Sequence, residues 1–135
     1  MKKPSRGCLW ALGVIAAVFL TIWIVDTVVP SGAVRALPKG ATDIQEYYRD
    51  AGMTGDFTRI LKARIPREDV AEYARKFGAT HKTEGRAGRV YASWGGYKTK
   101  WWNPQEAPLY FSLEGDTSVL VGWEDGFVYF EARST

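Results

Sequence analysis

Residues able to do acid, base or metal chemistry are few in this sequence, and they are widely spaced. Its one histidine, His81, stands in HKTEGRAG with no cysteine beside it, so a transition-metal centre lacks its usual nitrogen and sulfur donors. The one cysteine, Cys8, opens an apolar run, and a serine or cysteine nucleophile would have only His81 as its base; no GxSxG occurs. Glu124 and Asp125 lie in EDG, where Asp-Gly serves hairpin geometry before proton transfer. Asp43, Glu46, Asp56 and Glu84 would make a hydrolytic carboxylate pair only if the fold brought two of them together. The segment GRAGR at 85–89 lacks the spacing and the strand-to-helix setting of a phosphate loop. The expectation is a non-enzyme with no catalytic residues, no metal and no cofactor. A hydrolase ranks third among the function classes.

Contact chemistry is denser. In YASWGGYKTKWWNPQ, the rings of Trp94, Tyr97, Trp101 and Trp102 alternate with Lys98 and Lys100. Aromatic rings with polar edges suit sugars, extended peptides and partner hot spots. These six residues are the candidate binding set, on a loop from Trp94 to Pro104. The competing reading puts Trp94 and one of the adjacent pair in the core and leaves Asn103-Pro104 as a turn. Neighbouring side chains on a strand point to opposite faces, and Pro104 halts a central strand, so at least one of Trp101 and Trp102 is expected to be substantially exposed.

Charge is divided along the chain. Residues 49–100 hold twelve Lys and Arg against six Asp and Glu, while from 101 onward Arg133 stands alone against six acids. A basic face could meet an acidic partner or anionic headgroups, although solvated strand and helix faces are the commoner explanation. Nucleic acid fits poorly, because the two halves nearly cancel.

The elements that must position this loop begin with CLWALGVIAAVFLTIWIV, 18 residues without a charge from Cys8 to Val25. At about 1.5 Å per residue the run approaches a hydrocarbon core of roughly 30 Å, and Lys2, Lys3 and Arg6 precede it. These features predict a cytoplasmic tail (1–7), a transmembrane signal-anchor helix (8–29), a linker (30–40) and an exported α+β domain (41–135). Cleavage after Ala33 is the alternative to a retained anchor. Gly13, Ala16 and Ala17 form a small-residue patch that permits close helix approach.

Within the domain, ATDIQEYYRD and DFTRILKARI read as strands joined by AGMTGD. In the second, Phe57, Leu61, Ala63 and Ile65 form an inner face interrupted by Arg59, and Thr58, Lys62 and Arg64 a wet one. PREDVAEYARKFG has Pro66 at its start, acids in its first turn, bases in its last and Gly78 beyond, with Val70, Tyr73, Ala74 and Phe77 on one stripe. RVYASW, APLYFSL, TSVLVGW and FVYFEAR then form a meander with turns at EGD and EDG. The predicted order is β-β-α-β-β-β-β, a small antiparallel sheet with one helix packed on it.

LPKGATDIQEYYRD, DFTRILKARIPREDVAEYARKFG and WWNP, in this order, resemble a group of small uncharacterised bacterial exported proteins anchored by a signal-anchor helix or a lipid. The resemblance covers most of the domain and implies a single-pass protein of the bacterial inner membrane, N-terminus cytoplasmic and domain extracytoplasmic. It carries over no activity and no site residue. The functional expectation is a membrane-tethered binding or interaction domain touching the lipid bilayer and an envelope protein or cell-wall polymer. The alternative is an accessory subunit of an envelope complex that also uses its anchor helix.

Overall fold

The computed structural model describes residues 6–28, 31–50, 55–82, 94, 97 and 99–134. The chain divides into two units, Met1–Arg35 and Ala36–Thr135. The first holds α1 (Arg6–Val28) and the short α2 (Gly32–Arg35). At the start of α2 the Ser31 hydroxyl accepts from the Val34 amide at 3.2 Å.

The transmembrane signal anchor expected over residues 8–29 is corrected, and with it the single-pass inner-membrane placement. Among the described residues no helix is long and apolar enough to cross a membrane.

Among its described residues the second unit forms a six-stranded antiparallel sheet. Its strands are β1 (Thr42–Asp50), β2 (Phe57–Arg64), β3 (His81–Lys82), β4 (Tyr110–Glu114), β5 (Thr117–Glu124) and β6 (Phe127–Ser134), in the spatial order β1-β2-β6-β5-β4-β3. Two tight turns make the β4-β5-β6 meander. At the second, Asp125 and Gly126 have φ of 51° and 87°, the left-handed pair that a two-residue hairpin with native twist requires. β2 then lies on the far side of β6, from Arg64 opposite Phe127 to Phe57 opposite Ser134.

Between β2 and β3, a 3₁₀ turn (Arg67–Asp69) leads into α3 (Val70–Arg75), and Gly78 ends the segment at φ 71°. The α-helical part is shorter than the Pro66–Gly78 segment suggested, because its first turn is wound as 3₁₀. Val70, Tyr73 and Ala74 are buried, covering the sheet face of Leu61, Ala63, Val121, Val128 and Phe130. Tyr73 and Phe77 meet Phe130 at centroid distances of 5.9 and 4.6 Å. Burial pushes the Tyr73 hydroxyl far above its ordinary range; the Glu46 carboxylate adds to the rise and Arg59 opposes it.

The side of β2 expected to be wet, that of Thr58, Lys62 and Arg64, belongs to a sheet face that is partly covered. Ile60, Phe111, Leu120 and Tyr129 are buried on it under residues of the loop after β3. The strand after the helix is the dipeptide His81–Lys82, paired with Tyr110 and Phe111. Residues 51–54 of the turn expected over AGMTGD (51–56), GRAGR, and residues 89–93 of the strand expected over RVYASW (89–94) lie outside the described residues, while Trp94, the last residue of that expected strand, sits in a turn instead.

Candidate functional site: an aromatic layer on the sheet

Antiparallel register decides which side chains form the floor of this layer. Tyr129 stands opposite Lys62 on one side and Gly122 on the other, and Leu120 opposite Phe111. Gly122 leaves a gap in that floor. A Cβ there would come within 2.7 Å of Trp94 Cζ2 and 3.4 Å of the Pro108 backbone, so the indole of Trp94 rests directly on the β5 main chain.

Trp102 is the hub above it. Its ring meets Trp94 at 5.3 Å, Tyr97 at 5.8 Å, Trp101 at 6.2 Å and Tyr129 at 5.3 Å, all edge-on. That geometry sets positive ring edges against negative faces and contributes about 0.5–1.5 kcal/mol per pair beyond burial. Both buried indoles are satisfied: Trp102 Nε1 donates to the Trp94 carbonyl at 2.7 Å, and Trp94 Nε1 to the Glu106 carbonyl at 3.0 Å.

Trp101 and Trp102 diverge because the backbone turns. The Trp102 amide donates to the Thr99 carbonyl at 3.3 Å, closing a four-residue turn. Trp102 keeps only 3% of its surface in water, whereas Trp101 is half-buried at the rim. Lys62 on β2 fixes that rim, its ammonium donating to the Trp101 carbonyl at 3.3 Å while lying 4.6 Å from the Phe127 centroid and 5.1 Å from that of Tyr129.

Of the six residues expected to bind, Trp94 and Trp102 are therefore core, Tyr97 and Trp101 half-buried, and Lys100 exposed; Lys98 lies outside the described residues. The structure also shows contributors that the sequence reading missed. Glu124, assigned only to a hairpin, accepts from the amides of Gln105 at 2.7 Å and Glu106 at 3.1 Å and so holds the loop's return. Glu131 is buried on the aromatic face, opposite Ile60 and Leu120. A charged residue inside an alternating strand, FVYFEAR, was the available signal.

Asp43 pairs with Arg64 at 2.8 Å and Glu46 with Arg59 at 3.4 Å; Glu84 lies outside the described residues. His81 is exposed, with its ring 5.4 Å from Phe111. Among the described residues no group of three His, Cys, Asp or Glu could hold a metal ion.

No protein-family model matches this chain, no curated protein is detectably similar to it, and no solved structure resembles it at a significant level.

Proposed function

We propose that the sheet unit is a non-enzymatic binding domain whose contact surface is the rim of the aromatic layer, formed by Tyr97, Lys100 and Trp101. The observation that carries this reading is the pinning of Tyr97 and Trp101 edge-on against the buried Trp102. Partly exposed rings held this way have already lost rotamer freedom, so little further ordering opposes binding. The exposed Lys100 adds a cation beside them. A polypeptide offering an apolar side chain and a carboxylate fits that pair of features.

A displayed library of random peptides selected on the full chain tests the reading. Selected peptides should carry an acidic residue beside an apolar one. Their affinity should drop by about tenfold or more with Trp101→Ala or Lys100→Glu. Peptides that bind both variants as well as the parent would place the contact surface elsewhere.

A further inference from the structure

Antiparallel register sets Arg49, Thr58, Arg133 and Ser118 in one row across β1, β2, β6 and β5. Directly opposed residues share a face, and this row is the next one out from Tyr47, Ile60, Glu131 and Leu120. Thr58 thus stands between two arginines, with the Ser118 hydroxyl beyond the second. Arg49 is exposed, and the other three are partly exposed. The remaining arginines of the described strands, Arg59 and Arg64, are paired with Glu46 and Asp43. Among the described residues no ion pair joins Arg49 or Arg133 to an acid. Asp50, next along β1, belongs to the opposite face, in the row of Phe57, Ser134 and Thr117. Asp56 and Asp116 lie just before β2 and β5, and among the described residues neither forms an ion pair.

We infer that this row binds a small phosphomonoester by its phosphate group. Neighbouring strands lie about 4.8 Å apart, so the backbones at Arg49 and Arg133 are separated by about 10 Å, and two side chains of arginine length reach one tetrahedral group above Thr58 from opposite sides. Each guanidinium is a fixed fork that offers paired donors to oxyanions and keeps its charge at any pH of interest. The hydroxyls of Thr58 and Ser118 supply donors for the remaining oxygens. Two positive charges match the charge of about −1.5 to −2 that a monoester carries near neutral pH. A carboxylate would answer only one of them. The anion also relieves the repulsion between two cations that face the same hydroxyl. Thr58 is four residues along β2 from Lys62, about 13 Å, so this site is separate from the aromatic rim and does not rest on the function proposed for it.

The test is calorimetric titration of the full chain with methyl phosphate at low ionic strength. One site with a Kd of about 1 mM or tighter is expected. Arg49→Gln and Arg133→Gln should each weaken binding by about tenfold or more, and Thr58→Val, which keeps the shape of the side chain, by about threefold. Arg64→Gln, at an arginine already held by Asp43, should leave the affinity unchanged. Dimethyl phosphate, with a single charge, should bind about tenfold more weakly than methyl phosphate. Amide chemical shifts of the parent give a second reading that needs no variant: methyl phosphate should move Arg49, Thr58, Arg133 and Ser118 together. Absence of saturation up to about 10 mM overturns the proposal, as do shifts confined to other residues or an Arg64→Gln loss equal to that of Arg49→Gln. Inorganic phosphate bound more tightly than methyl phosphate overturns the assignment to a monoester.

Discussion

Trp94 lies against Gly122 so closely that a single added carbon at position 122 would come within 2.7 Å of the indole. The loop after β3 is thus docked onto the sheet by contact between an aromatic plane and bare backbone. That contact is unforgiving, since the neighbours of the missing Cβ include the Pro108 main chain as well as the movable ring.

Gly122→Ala should destabilise the domain by about 1–3 kcal/mol, the usual cost of overpacking a tight core. Chemical denaturation followed by tryptophan fluorescence measures it. The emission of the folded variant should shift as Trp94 is lifted from its seat. An unchanged midpoint and spectrum would show that the loop is not held there.

The two adjacent tryptophans should part in their energetics. Trp102→Ala removes the hub of four ring contacts and is expected to cost about 3–5 kcal/mol. Trp101→Ala removes a ring that is only partly buried at the rim and should cost only about 1–2 kcal/mol. Equal losses in urea melts would contradict the turn that separates them.

Glu124 holds two consecutive amides of the loop. Replacing it by Ala leaves both without their acceptor, at a cost of about 1–3 kcal/mol. Hydrogen exchange should report it locally, with faster exchange at Gln105 and Glu106 and little change along β2.

Tyr73 links stability to alkaline pH. Its hydroxyl titrates near 10 when unfolded and well above that in the fold. Below about 10 both states keep the proton, and the contribution of the neutral buried phenol is fully present. Above it the unfolded chain releases a proton that the folded chain retains, so stability falls as pH rises. Thermal melts between about pH 9 and 11 should show this decline, and Tyr73→Phe should flatten it.

Local features of the sequence determined the elements whose causes are local. Asp125-Gly126 dictates a tight hairpin because only such residues tolerate two consecutive left-handed conformations. Pro66, Gly78 and the stripe of Val70, Tyr73 and Ala74 mark a helical segment by its own ends and period. Tertiary structure alone decided the rest. β3 is two residues long and exists because β4 offers a ladder, which no propensity of His81 or Lys82 announces. β2 pairs with β6 across more than sixty residues at Arg64 and Phe127, and nothing near either strand specifies that neighbour. Lys62 looked like a solvated position in an alternating strand. It became the clasp on Trp101 because a distant loop covers that face. Trp101 and Trp102 would point apart by pleating in a strand; in fact a turn separates them, and the gap at Gly122, the carboxylate of Glu124 and the ring of Tyr129 seat the layer around Trp102. Sequence period reports which side of a strand is apolar, whereas which surface comes to lie on that side depends on contacts between residues far apart in the chain.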